Sequence, residues 1–204
     1  MRNIASYSIK RLVYLIGIPL VFTATSASAG LIGVKSIEIS SAVPTWLQVS
    51  EVVAIEAGTG NDLALSSAGA TATGSIYGPS PGSSPNFAID GVGPTGFPNI
   101  FHSATAAATE VLTITLASAS ELTSLTLFGR TNCCSDRNIY NVSLKDASGI
   151  VLQSFSGLDA TGSSDSGTVT LLDTSVPVPA PATLALFGFG LVGLGWARRK
   201  QQHS

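Results

Sequence analysis

Between residues 30 and 175 the chain is written largely in period two. Val34-Lys35-Ser36-Ile37-Glu38-Ile39 alternates apolar and polar side chains, and so do Val111 to Leu116, Leu122 to Phe128, Tyr140 to Leu144 and Thr168 to Leu172. Trp46 to Val49, Val52 to Ile55 and Ile150 to Leu152 follow the pattern more loosely. Successive side chains of a strand point to opposite faces, so alternation rich in Val, Ile, Thr and aromatics marks half-buried strands. Gly, Pro, Ser and Asn fill the gaps, and no helical stripe of useful length interrupts them. Many short strands with such turns predict an all-β fold, a β-sandwich or barrel. Tyr140 fits the packed face of its strand, and Trp46 is expected in the core. The stretch from Gly74 to Pro98 lacks strand character and carries Pro79, Pro81, Pro85, Pro94 and Pro98. A long segment of this kind predicts an ordered binding loop.

The ends of the chain are of another kind. Arg2, Lys10 and Arg11 precede an apolar run from Leu12 to Phe22, and small residues then lead to Ala27-Ser28-Ala29. That order predicts a secretory signal peptide over residues 1–29. At the other end Val176 to Thr183 is Pro-rich, Leu184 to Ala197 is uninterrupted and uncharged, and Arg198-Arg199-Lys200 closes the run. The apolar stretch, about 182–197, falls short of the roughly 20 residues of a full helical span, so it predicts a minimal or transient membrane helix. The basic cluster would hold its end in the cytoplasm. Residues 176–204 resemble the PEP-CTERM sorting signal of Gram-negative bacteria, with Val178 where the eponymous motif has Glu. The resemblance implies recognition by an exosortase and delivery to the cell surface or the extracellular polymer matrix.

All 12 Asp and Glu lie between the two ends, opposed there only by Lys35, Arg130, Arg137 and Lys145, four against twelve for a net −8. Such a balance argues against nucleic acid, whose binding needs a basic face. It suits an acid-rich extracellular surface.

The scarce residues of this middle segment are grouped. Its two arginines, Arg130 and Arg137, bracket its two cysteines, Cys133 and Cys134, and its one histidine is His102. Arg offers planar donors in a fixed fork that can reach two neighbouring oxygens at once, and His adds a directional donor or acceptor. A pocket of Arg, Arg and His can discriminate hydroxyl geometry, because a wrong sugar leaves polar groups unpaired. Adjacent cysteines in an exported chain can close a vicinal disulfide; reduced thiols and bonds between chains are the alternatives. For the two arginines the alternative is surface ion pairing, with Asp136 the nearest acid in sequence. No Gly-x-Ser-x-Gly, no HExxH, no phosphate loop and no nucleotide fingerprint occurs, so the chain reads as a binding protein and not as an enzyme.

Several pieces together resemble a galactose-binding-domain-like jelly-roll sandwich of the discoidin class. They are Asn61 to Leu65, Asn86 to Val92, the His102 loop, Glu110 to Leu116 and Phe128 to Arg137. Arg130-Thr131-Asn132-Cys133-Cys134 followed by Arg137 is similar to the fucolectins, or F-type lectins. By that resemblance His102, Arg130 and Arg137 match a fucose-binding triad, Cys133 and Cys134 match a vicinal disulfide that packs on the sugar, and Phe97 lines the pocket. Asn132 stands where the family has Asp, which removes a charge. The family also holds a structural calcium. Here the resemblance implies the Asp90 carboxylate, the carbonyls of Phe87 and Val92, the Asn99 side chain and Asp173 as its ligands, with Val92 in place of a family Asn. The alternative for Asp90-Gly91 is an Asx-type turn. Val34 to Ile55 would add an extra strand pair leading into the sandwich. The expected function is lectin-like binding of fucose- or galactose-type sugars at the surface, with an adhesive or structural matrix protein without sugar binding as the alternative.

Overall fold

Among the described residues nine strands carry the alternation into the fold: β1 Leu31–Ser41, β2 Gln48–Val49, β3 Glu51–Glu56, β4 Thr71–Thr73, β5 Phe101–His102, β6 Val111–Phe128, β7 Ile139–Lys145, β8 Val151–Asp159 and β9 Ser166–Thr170. The computed structural model describes residues 30–78 and 82–171, which fall within one compact unit. Among the described residues the only helical pieces are three short 3-10 turns, Ser66–Ala68, Pro85–Ile89 and Ser135–Arg137. The domain is all-β. None of the described helices is long and apolar enough to cross a membrane. The expected signal peptide, the apolar segment at about 182–197 and Asp173 lie outside the described residues.

Seven strands form one antiparallel sheet whose main path runs β3-β6-β1-β7-β8, with β4 and β9 also paired to β6; β2 and β5 pair separately. The side chains facing inward are the ones the alternation marks. Val34, Ile37 and Ile39 of β1, Leu112, Ile114 and Leu116 of β6, and Tyr140, Val142 and Leu144 of β7 are all essentially inaccessible to solvent. Each such side chain contributes about 1.5–3 kcal/mol through burial.

Two expectations are corrected. Val34 to Ile55 is not an added strand pair. β1 lies between β6 and β7, with Ile37 opposite both Ile114 and Leu144, because its apolar face is needed at the centre of the sheet. β3 pairs with the far half of β6 instead. Val111 to Leu116 and Leu122 to Phe128 are likewise one strand, since backbone pairing carries on through the exposed Ala117-Ser118-Ala119 link, with register shifts where β1 passes it.

Candidate functional site

A pocket of about 300 Å³ opens between the strand ends, lined by Trp46, Tyr77, Phe97, His102, Arg130 and Arg137. Its floor comes from the small sheet. Gln48 of β2 sits opposite His102 of β5, Ser103 N donates to Leu47 O at 2.9 Å, and Leu47 N donates to Ser103 Oγ at 2.9 Å. This pairing brings Trp46, just ahead of β2, to 6.2 Å from His102 between ring centroids. Tyr77 N donates to His102 O at 2.9 Å, which sets the Tyr77 ring 4.9 Å from the imidazole. Phe97 meets the same imidazole edge-on at 5.8 Å.

His102 is buried, and its Nδ1 lies 3.0 Å from Ser103 O. A carbonyl only accepts, so Nδ1 carries the proton and donates. Burial lowers the His102 pKa; the Ser103 carbonyl opposes this, and the charges of Arg130 and Arg137 reinforce it. The ring is therefore neutral at pH 7, and its Nε2 is a lone-pair acceptor.

Arg130 is held by two amide clasps. Asn138 is fully buried. Its Oδ1 accepts from Arg130 N at 3.2 Å and its Nδ2 donates to Arg130 O at 3.2 Å, as a paired strand would. Gly129 has to be glycine here, since a Cβ would fall 2.1 Å from Asn138 Cγ. Asn132 grips the opposite wall in the same way: Oδ1 accepts from Phe97 N at 3.3 Å and Nδ2 donates to Phe97 O at 3.0 Å. The Asn132 Oδ1 also accepts from Arg130 Nε at 2.6 Å. Arg130 then lies over the Phe97 ring and Arg137 over the Trp46 ring, each 5.4 Å from the centroid, within cation–π range.

Cys133 and Cys134 are joined in a vicinal disulfide. With Asn132 they stand outside the lining, in the turn that runs from Arg130 to the 3-10 turn bearing Arg137. Cys134 takes the left-handed conformation, φ 61°, and the turn aims both guanidiniums at one cavity. Arg130, Arg137, His102 and Phe97 thus meet as the sequence suggests. Trp46 is corrected: it is half-buried pocket wall, not core, because it precedes β2 instead of lying on its inward face. Tyr77, which the sequence reading did not single out, completes the wall. An aromatic in a Pro-rich loop with no alternating neighbours was the available signal.

Of the oxygen donors expected for calcium, Phe87, Asp90 and Val92 lie on the loop that leads to Phe97, Asn99 follows it, and Asp173 lies outside the described residues. Asp90 is exposed, and its Oδ1 accepts from Val92 N at 2.8 Å, the geometry of an Asx turn. Sequence reasoning missed its companion, Glu51 of β3. Glu51 is 3% exposed; its Oε2 accepts from Gly91 N at 3.1 Å and its Oε1 is buried without a partner. Burial, then the neighbouring Asp90 carboxyl, pushes the Glu51 pKa up to about 7. Two facing carboxyls, one with an orphaned oxygen, suit a hard cation, which takes oxygen ligands. Among the described residues no cluster of three His, Cys, Asp or Glu exists, so further ligands would be carbonyl or amide oxygens such as those of Phe87, Val92 and Asn99. The loop beyond is stitched to the residue between β2 and β3, with Thr95 N donating to Ser50 Oγ at 2.6 Å.

Fold and site together define an all-β domain with an open cleft that is aromatic on its walls and cationic at its rim. Residues 177–200 match the PEP-CTERM protein-sorting motif. That motif marks an exported protein of the Gram-negative cell surface or membrane, sorted by an exosortase. Neither the curated proteins nor the solved structures gave a match to the chain.

Proposed function

We propose that the domain is a carbohydrate-binding, lectin-like module with the galactose-binding-domain-like jelly-roll fold, taking fucose- or galactose-type sugars in the Arg130–Arg137–His102 pocket. The observation that carries this reading is the pocket itself. Directional donors and one neutral acceptor converge between aromatic rings, the combination that hydroxyl groups and apolar sugar faces require. In this reading Arg130 and Arg137 donate to sugar oxygens, His102 Nε2 accepts from a hydroxyl, and Trp46, Tyr77 and Phe97 pack on C–H faces. Among the described residues no carboxylate lines the pocket, whereas glycoside hydrolysis ordinarily needs two, which favours binding without chemistry. Calcium belongs to the same reading as a structural ion. Held by Glu51 and Asp90, it would stiffen the loop that carries Phe97. The apolar segment at about 182–197 would hold the chain in the membrane until sorting.

The test is retention of the full chain, solubilised in detergent, on fucose- and galactose-type resins. Wild type is retained and eluted by free sugar, and Arg130→Ala flows through. Passage of correctly folded wild type through every sugar resin would end the lectin reading.

A further inference from the structure

The four cations of the described domain have unequal partners. Lys145 Nζ pairs with Glu38 at 2.6 Å. Lys35 Nζ donates to the carbonyls of Leu116 and Ala117. Arg130 and Arg137 have no carboxylate partner among the described residues. Their contacts are an amide oxygen and two aromatic rings, none of which carries a formal negative charge. The position beside Arg130 that could hold a neutralising carboxylate is Asn132, and its Nδ2 is committed as a donor to Phe97 O, a task an ionised carboxylate cannot perform. The cationic rim is thus built into the clasp, in a domain whose remaining surface is acidic. Two like charges held close together repel one another. A ligand that brings a negative charge between them relieves that repulsion and gains charge-assisted, forked hydrogen bonds.

We infer that the preferred ligand is an acidic sugar, a galacto-configured residue bearing a carboxylate or sulfate group set between Arg130 and Arg137, with a hydroxyl donating to His102 Nε2. This rests on the lectin reading and narrows it. A neutral sugar leaves both guanidinium charges uncompensated. An anionic one pairs them while its ring still stacks on the aromatic walls.

The experiment is calorimetric titration of the full chain in detergent with methyl galacturonide, galactose 6-sulfate and methyl galactoside, in low and high salt. An anionic sugar is expected to bind at least about tenfold more tightly than the neutral one, and the stronger of the two anionic arms identifies the group. The advantage should shrink in high salt, where exposed charges are screened. Asn132→Asp should reduce the anionic-to-neutral ratio, whatever it does to either affinity. Equal affinities, or a neutral preference, in wild type would overturn the acidic-sugar inference and leave the lectin reading standing. Binding of none of the three by folded protein would overturn both.

Discussion

At the scale of single residues, Glu51 is the side chain whose chemistry most depends on what it is given to hold. Its pKa is raised from the ordinary 4.5 to about 7, so the folded state keeps a proton that the unfolded chain would release. The stability this contributes is complete below 4.5 and is lost as pH rises through about 7. In chelator, the melting temperature of wild type should therefore fall relative to that of Glu51→Gln, which cannot ionise at this position, between about pH 5 and about pH 7. Added calcium should restore wild type at the upper end and leave the variant unmoved. A variant that tracks wild type in all four conditions would remove Glu51 from the ion's neighbourhood. Glu51 was illegible in the sequence because it opens an ordinary-looking strand and its partners lie on a loop forty residues on. Arg130, Arg137 and His102 were legible because charge and scarcity mark them. Trp46 and Tyr77 were not, since an aromatic reads the same whether it packs in a core or walls a cavity.

Among the elements, β6 organises the rest. β4 pairs with its first half, β3 and β9 with its second, and β1 runs from Val111 to Leu122 along both. Leu125 sits in the second half with no exposed surface, opposite Ala54 on one side and Val169 on the other. Leu125→Ala removes packing that β3 and β9 share, and should cost about 2–5 kcal/mol in denaturant unfolding. A loss below about 1 kcal/mol would mean that the two flanks do not depend on this strand. Alternation located the longer strands, because period two records burial directly, but it missed β4 and β5, which are too short to show a period, and found only the start of β8. It did not reveal that Val111–Phe128 is continuous. The Ala117-Ser118-Ala119 link carries no apolar signal, and backbone pairing leaves no trace in side-chain pattern. The neighbours of β1 were hidden for the same reason.

For the whole molecule, the sorting motif and the pocket answer different questions, where the chain goes and what it holds once there. In the proposed lectin reading one domain would bind one sugar weakly, and a surface that displays many copies would gain through effective concentration. Deleting residues 177–200 should abolish exosortase-dependent sorting, read as loss of the chain from the surface fraction and its appearance in soluble fractions on immunoblots. Unchanged distribution would show that another segment directs the protein.

The arrangement of β9 against β6 has a mechanical consequence. Ser166 pairs opposite Phe128, next to Arg130 and the pocket, while Thr170 pairs opposite Ser124 at the far end, and from there the chain continues towards its sorting tail. A polymer seated in the cleft and tugged against that tail would pull the C-terminal ends of two antiparallel strands in opposite directions. The load falls along the strand axes, on all five paired positions at once, as shear. An arrangement with the tail leaving from the pocket end would instead let the pairs open singly, like a zip.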